Sequence, residues 1–223
     1  MEKTGIDRVT RSKEEAKASY DRMSRWYDLL AGWFESKYRD LGLQKLDIKE
    51  GQVVLEIGFG TGHCLTALAE RVGGSGKVFG IDISEGMSRI ARVRVAKAGL
   101  SERIQLERGD AVKLPFDAGF FDAVFMSFTL ELFDTPEIPA VLAECERVLK
   151  SNGRISIVAI SKKGKAAPMM QLYEWMHRKF PKYADCRPIY VQQALEDAGL
   201  QTIDANDVRM WGLPIEVVLA EKP

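Results

Sequence analysis

The stretch that decides the fold is Val53-Val54-Leu55-Glu56-Ile57-Gly58-Phe59-Gly60-Thr61-Gly62, an apolar run that leads into three alternating glycines. A short apolar run that ends in a glycine turn is typical of a buried strand beside a binding crevice. Because glycine turns tightly and has no side chain, this turn can bring the backbone close to a ligand. The stretch therefore predicts a doubly wound α/β fold with a ligand at the carboxyl end of its first strand.

Two kinds of ligand use such a turn: a dinucleotide, and a nucleoside without a pyrophosphate. The dinucleotide fingerprint G-x-G-x-x-G/A, counted from Gly58 and Gly60, requires a small residue at position 63, and the chain has His63 there. Glu56 places a negative charge beside the turn, which disfavours a pyrophosphate and suits an ammonium or sulfonium group. S-adenosylmethionine carries both of these groups, so the pattern favours it over NAD.

Two more carboxylates follow at the spacing that a nucleoside requires. The run 77–84 reads as a short buried strand that contains Asp82, 24 positions after Gly58. An acid about 20 residues on, at the end of the second strand, accepts hydrogen bonds from ribose hydroxyls. The run 105–111 reads as another strand, and its Gly109-Asp110 turn can offer a carboxylate to the adenine amino group. Each acid alone also fits a helix start or a surface turn, so the prediction rests on their joint order and spacing.

Further short motifs between residues 50 and 160 occur in the same order as in a known family. The complete set is Glu56-x-Gly58-x-Gly60-x-Gly62, Asp82, Gly109-Asp110, Leu114-Pro115-Phe116 and Phe121-Asp122-Ala123-Val124. Together they resemble the core of the class I S-adenosylmethionine-dependent methyltransferases. With Leu114-Pro115-Phe116, the segments 20–23 and 26–30 further resemble the quinone-biosynthesis C-methyltransferases and the phospholipid N-methyltransferases. One departure is visible: the chain reads Thr129-Leu130-Glu131 where relatives often carry His.

The glycine turn and the resemblance together imply a set of cofactor-binding residues. The expected set is Tyr20, Tyr27, Glu56, Gly58, Phe59, Gly60, Thr61, Gly62, Asp82, Ile83, Met87, Asp110, Ala111 and Ser127. Glu56, the amides of the turn and the backbone of Ser127 would hold the methionine end of S-adenosyl-L-methionine. Asp82 would bind the ribose, and Ile83 and Met87 would flank the adenine.

Composition bounds the size and the environment of the protein. With 223 residues, 46% hydrophobic content and no linker, the chain 1–223 is expected to form a single domain. No apolar run approaches a membrane span and the start lacks a secretory core, so we expect a cytoplasmic location. Three cysteines and two histidines form no recognisable ligand pattern, so no metal is expected. The 32 basic and 32 acidic residues balance, so no nucleic-acid partner is expected.

Strands and helices alternate along the chain, which predicts parallel strands joined by right-handed crossovers. Strands are predicted at 53–57, 77–82, 103–107, 121–127, 153–160, 201–210 and 214–221, and helices at 61–72, 85–98, 137–150, 168–180 and 189–198. The expected fold is a Rossmann-like, doubly wound, seven-stranded sheet, and the last two strands resemble the antiparallel hairpin that closes the methyltransferase sheet. Residues 1–46 would form a helical lid over the carboxyl edge, 50–160 the cofactor-binding core, and 161–223 a substrate-side insertion and the hairpin.

The acceptor side is less defined by the sequence. Residues 161–188 carry seven basic and two acidic side chains interleaved with aromatics. Such a segment can face a lipid-like or anionic partner and contact a membrane surface, and a solvated helix that packs its aromatics on the core gives the same pattern. The catalytic candidates are Tyr27, Glu131, His177 and Arg187, and Arg187 is expected to anchor an anionic or carbonyl-bearing acceptor.

The favoured function is methyl transfer to a small or lipid-like molecule, such as a quinol precursor or a phospholipid amine. The alternative is a protein of the same coarse fold with a different task, either an NAD-dependent oxidoreductase or a non-catalytic nucleoside-binding protein. The sequence leaves the oligomeric state open.

Overall fold

The described part of the protein is a single sheet with helices on both faces. The computed structural model describes residues 6, 8, 9, 15, 32–163 and 186–223. The strands are β1 Val53–Ile57, β2 Lys77–Asp82, β3 Ile104–Arg108, β4 Phe121–Ser127, β5 Leu149–Ile160, β6 Gln201–Met210 and β7 Leu213–Glu221. The helices are α1 Gly32–Leu46, α2 His63–Arg71, α3 Glu85–Lys97, α4 Ile138–Val148 and α5 Val191–Asp197, with a short 3₁₀ helix at Leu130–Leu132.

The seven strands lie in the order β3-β2-β1-β4-β5-β7-β6. The first five in this order pair in parallel, and β7 pairs antiparallel with both β5 and β6. The predicted seven-stranded sheet with an antiparallel closing hairpin is therefore confirmed. The chain runs outward from β1 through β2 to β3 and then returns to place β4 on the other side of β1. The crevice between the carboxyl ends of β1 and β4 is the switch point at which such sheets bind ligands.

Helices cover the two faces of the sheet unequally. Because side chains alternate along a strand, Val54 and Phe125 belong to one core with α1, α2 and α3. Leu55 and Val124 belong to the opposite core with α4 and α5. Glu56 has the same parity as Val54, so its carboxylate lies on the face that α1 and α2 cover.

Helix α1 packs flat on a face of the sheet. A Cβ atom on Gly42 would lie 2.6 Å from Cγ2 of Val158, so only glycine allows this close approach. The hydroxyl of Ser156 donates to the Gly42 carbonyl at 3.0 Å. The Tyr38 hydroxyl donates to the Arg209 carbonyl near the carboxyl end of β6, and Arg154 at the opposite edge donates to the Asp47 carbonyl. Helix α1 therefore begins at the carboxyl edge and runs down the sheet.

This placement corrects one expectation and bounds another. Residues 32–46 were expected to be part of a lid over the carboxyl edge, but they form a layer on the face of the sheet, because the small Gly42 and the apolar Leu43 and Leu46 fit that surface. Apart from residues 6, 8, 9 and 15, the remainder of the expected lid, including Tyr20 and Tyr27, lies outside the described residues. The helix expected at 168–180, with His177, lies outside them as well.

Several element boundaries also differ from the expectation. The helix expected to reach residue 150 ends at Val148, and β5 begins at Leu149. Leu149 pairs with Phe121, and a register shift then brings Arg154 opposite Ala123. The apolar sequence continues the helical pattern past the true end, so this boundary is set by pairing with β4. The helix expected from residue 189 begins at Val191, because Ile189 forms a bridge with Ser161.

Candidate active site

The three glycines of the turn after β1 meet three different surroundings. All have positive φ values, +72° at Gly58, +50° at Gly60 and +85° at Gly62. A Cβ atom on Gly58 would lie 2.3 Å from the side chain of Thr129, and one on Gly62 would lie 3.0 Å from Cβ of Ala91 on α3. A Cβ atom on Gly60 would meet no atom within 4 Å among the residues that the structure describes. The first and third glycines therefore allow close packing, and the middle one faces open space.

Asp82 lies directly against this turn. Its Oδ2 accepts a hydrogen bond from the Gly60 amide at 2.9 Å, and its Oδ1 accepts from the Ser84 amide at 2.8 Å. The Ser84 hydroxyl accepts in turn from the Met87 amide and caps the start of α3. Asp82, the residue expected to bind the ribose, therefore lies at the carboxyl end of β2 next to Gly60.

Glu56 and Ser127 bring two buried oxygen atoms to the same face of neighbouring strands. Glu56 pairs with Phe125 in the β1–β4 register, so Ser127, two residues further along, has a side chain on the same face. Glu56 is 3% exposed. Within the part of the chain that the structure describes, Glu56 Oε2 and Ser127 Oγ are buried and have no hydrogen-bond partner. Such atoms are costly in a folded protein unless a ligand satisfies them.

The environment of Glu56 favours its neutral form while no cation is bound. Burial raises the pKa of Glu56 well above its ordinary value, although Arg39 and a hydrogen bond from Cys64 act in the opposite direction. Asp82 raises it further through like-charge repulsion. A ligand ammonium group would reverse this balance by supplying both a positive charge and hydrogen-bond donors. The amino-acid end of S-adenosylmethionine therefore fits this position.

The expected adenine end is formed by the turns after β2 and β3. Met87 and Ala111 are buried, Ile83 is half-buried, and Asp110 Oδ1 accepts from the Val112 amide at 3.1 Å. Backbone amides at such turns can serve an adenine ring without a dedicated pocket. The structure thus places these expected contacts at neighbouring carboxyl ends of the sheet.

Phe59 and Thr61 lie differently from the other residues of the turn. Phe59 is 3% exposed and belongs to the core under the turn, where its ring closely approaches Gly80. Thr61 is also buried, and its carbonyl accepts a hydrogen bond from Arg94 Nε at 2.8 Å. The sequence led us to expect that both residues bind the cofactor. Their buried positions instead favour side chains that support the turn from below.

The two described catalytic candidates, Glu131 and Arg187, are enclosed within the protein. Glu131 is fully buried, and its Oε1 accepts a hydrogen bond from the Ile160 amide at 3.2 Å. Arg187 is 1% exposed and donates to the Thr135 hydroxyl at 3.0 Å and to the Phe133 carbonyl. These hydrogen bonds connect the chain just before α5 to the turn after β4. This enclosed geometry favours a structural anchor over the acceptor-binding role that the sequence led us to expect for Arg187.

The sequence reasoning missed Glu216, a fully buried acid on β7. Its Oε2 accepts from the Ser161 hydroxyl at 2.9 Å and from the Val191 amide at 3.1 Å, and its Oε1 pairs with Lys163 at 2.7 Å. These partners lie on either side of residues 164–185, so one carboxylate ties both ends of that segment to the sheet. A lone acid inside the apolar run 213–220 was the signal that could have revealed it.

A second missed contact joins the beginning of the chain to the turn after β4. Arg8 Nε donates to Asp134 Oδ1 at 2.9 Å, and the Val9 amide donates to the same oxygen at 3.0 Å. The hydrogen bond from Arg8 lowers the pKa of Asp134 to about 2. Ile6 packs against the core on the face of α4 and α5. The turn at residues 133–135 is therefore held from two distant parts of the chain.

We expect Glu56→Gln to stabilise the ligand-free protein at neutral pH and to weaken cofactor binding. In the unfolded state Glu56 loses its proton near the ordinary pKa of 4.5, whereas in the folded state burial keeps Glu56 protonated to a higher pH. The wild type therefore loses stability as the pH rises from 4.5 towards the raised pKa of the folded state. The melting temperatures of the two proteins should coincide below this range and diverge above it, by the equivalent of ~1–3 kcal/mol. The exposed Glu70→Gln is the control, and an equal response of both variants would contradict the assignment.

Comparisons with known proteins agree with this site. A family described as a methyltransferase domain matches residues 54–153. The demethylmenaquinone methyltransferase of Lactobacillus johnsonii is 34% identical over 74% of the chain and 65% of its own length. That of Symbiobacterium thermophilum is 31% identical over 80% of the chain and 76% of its own length. The chain thus spans about two thirds to three quarters of these relatives.

Solved structures share the fold. An S-adenosylmethionine-dependent methyltransferase from Aquifex aeolicus matches 93% of the chain and 98% of its own with a TM-score of 0.65 and 26% identity. The [4+2]-cyclase SpnF matches 96% of the chain and 97% of its own with a TM-score of 0.78 and 19% identity. Within the described residues no helix is long and apolar enough to cross a bilayer.

The fold, the glycine turn and these relatives define the class. The chain belongs to the class I S-adenosylmethionine-dependent methyltransferases. Within that class it belongs to the group of the ubiquinone and menaquinone C-methyltransferases. The cofactor of the family is S-adenosyl-L-methionine. The open side of Gly60 and the two buried oxygens of Glu56 and Ser127 fit this cofactor.

Proposed function

We propose that this protein transfers a methyl group from S-adenosylmethionine to a small or lipid-like acceptor, of which a demethylated quinol is the first candidate. The observation that carries the proposal is the pair of buried oxygens without a described partner, Glu56 Oε2 and Ser127 Oγ, on the neighbouring strands β1 and β4. An ammonium group is the ligand that satisfies such a pair. The names of the relatives support the choice of a quinol.

The chain's own residues would bind and align the cofactor. When bound, S-adenosylmethionine supplies an activated methyl group on a positively charged sulfur. Glu56 would hold the ammonium group by charge, and Asp82 would accept from the ribose hydroxyls. Methyl transfer by in-line displacement needs alignment and exclusion of water, and positioning alone can contribute roughly 7–11 kcal/mol.

The acceptor would enter above the carboxyl ends of β4 and β5, between the turn at residues 127–135 and residues 161–163 that follow β5. Methylation of a quinol carbon requires removal of a ring proton, and a carboxylate near the ring would serve as the base. Glu131 is the described candidate for that role, and Tyr27 and His177 remain candidates outside the described residues. A peripheral membrane contact through residues 161–188, which would bring the protein to a lipid-soluble acceptor, remains part of the proposal.

The direct test is a methyl-transfer assay with labelled S-adenosylmethionine over demethylated quinols, phosphatidylethanolamine and small amines. Label transfer to the quinol alone would support the proposed acceptor, and transfer only to the lipid or the amines would replace it. The assay is needed because one fold supports several chemistries, as the cyclase with the same fold illustrates. Calorimetry with adenosylhomocysteine and with NAD separates the proposal from an oxidoreductase.

We expect Asp82→Ala to weaken adenosylhomocysteine binding by about 1.5–3 kcal/mol, the range for hydrogen bonds to a charged group. The ribose hydroxyls would lose their acceptor, and the Gly60 amide would lose the bond that now holds it. Titration calorimetry measures the effect. Asp117→Ala, which changes an exposed acid in the loop before β4, is the control and should bind like the wild type. Unchanged affinity in a folded Asp82→Ala protein would remove the ribose assignment.

A further inference from the structure

The chain leaves β4 through a strained turn. Phe128 is buried and has a φ of +51°, a left-handed conformation that is unusual for a bulky side chain. Its amide donates to the Val158 carbonyl at 2.7 Å, so pairing with β5 holds this conformation in place. Strain of this kind persists where the surrounding structure determines it, and it is concentrated at functional sites. The turn points the next residue, Thr129, towards the glycine turn.

Thr129 makes two contacts that join the two turns. Its hydroxyl donates to the Ser127 carbonyl at 3.0 Å. Its side chain fills the space beside Gly58, where an added Cβ atom would lie 2.3 Å from Cγ2 and 2.4 Å from Oγ1. Thr129 is 7% exposed, and its carbonyl accepts from Leu132 at the 3₁₀ helix that carries Glu131. The side chain of Thr129 therefore joins the glycine turn to the end of β4, and its backbone carbonyl holds the 3₁₀ helix that follows.

We propose that Thr129 is a positioning residue for methyl transfer, which fixes the cofactor turn at Gly58 relative to the Ser127 carbonyl. The inference rests on the proposed function, because it concerns the alignment of the methyl group with its acceptor. Both branches of the side chain fill the space that Gly58 leaves, and the hydroxyl in addition restrains the end of β4. A displacement of about 1 Å between two such turns can lower a rate by 10²-fold.

The first experiment separates the two parts of the side chain. Thr129→Val keeps the packing against Gly58 and removes the hydroxyl, and it should lower kcat at least about tenfold while the KM for S-adenosylmethionine changes less than about threefold. Thr129→Ser keeps the hydroxyl and should restore most of kcat. Thr202→Val is the matched control, because the Thr202 hydroxyl donates to Glu196 Oε1 at 3.1 Å on β6, the edge strand far from the two turns. An unchanged kcat in Thr129→Val, or an equal loss in Thr202→Val, would overturn the inference.

The second experiment needs no acceptor and uses adenosylhomocysteine binding in a double-mutant cycle. Gly58→Ala should weaken binding at least about tenfold, because the new Cβ atom displaces Thr129 and with it the turn. The added change Thr129→Gly should recover part of that loss. Additive effects of the two changes would overturn the inference even if the single variants bind poorly. Failure of the wild type to bind adenosylhomocysteine would instead overturn the proposed function itself.

Discussion

Gly60→Val is expected to weaken adenosylhomocysteine binding at least about a hundredfold while the protein stays folded. The added side chain would enter space in which no atom of the described residues lies within 4 Å of the new Cβ, so we expect it to meet the ligand and not the core. The Gly60 amide donates to the Asp82 carboxylate, so a shift of the turn would also displace the side chain that is expected to bind the ribose. Titration calorimetry measures the affinity, and circular dichroism verifies the fold.

The control for this experiment is Gly99→Val, because it reproduces the backbone strain without the site. Gly99 follows α3, has a φ of +69° and also has no atom within 4 Å of an added Cβ. Strain at a left-handed position costs of order 1–3 kcal/mol in either variant. Both proteins should therefore lose similar stability, and only Gly60→Val should lose binding. Binding retained in Gly60→Val would show that the cofactor does not occupy this space.

Arg187→Ala is expected to lower the free energy of unfolding by about 3–5 kcal/mol. The change leaves a cavity where a side chain is 1% exposed, and it deprives the Phe133 carbonyl and the Thr135 hydroxyl of a buried donor. Chemical denaturation at constant m-value measures the loss. Arg187 holds the turn at residues 133–135, which directly follows the 3₁₀ helix that contains Glu131. Turnover of the acceptor should therefore fall together with stability.

Two further variants test whether Arg187 acts as an anchor of the fold or as an acceptor ligand. Arg71→Ala removes an exposed arginine of α2 that makes one long hydrogen bond, 3.4 Å, to the Ala67 carbonyl. This control should change the free energy of unfolding by less than about 0.5 kcal/mol. Arg187→Lys keeps the charge and loses the fork of donors, so it should show an intermediate loss. Wild-type stability combined with a raised acceptor KM in Arg187→Ala would restore the acceptor-binding role.

The order of the elements and the cofactor turn could be predicted from the sequence because local patterns determine them. The apolar run before Gly58, the acid at position 82 and the Trp211-Gly212 turn before the last strand each act within a few residues of the chain. Periodicity and turn chemistry therefore sufficed for the strands and the switch point, and the family resemblance implied the closing hairpin. The ends of helices and strands were predicted less accurately than their order. At Leu149, for example, the strand begins where pairing with Phe121 on β4 begins.

Only the tertiary structure decided what each polar side chain meets. The sequence presents Gly58 and Gly60 as equivalent, yet Thr129 fills the space beside the first, and none of the described residues fills the space beside the second. Arg187 looks like a loop cation in the sequence and is enclosed at the turn after β4. Glu216 became visible as an anchor only through its contacts with Ser161 and Val191. Burial and hydrogen-bond partners arise between residues distant in the chain, so periodicity and local spacing carry no record of them.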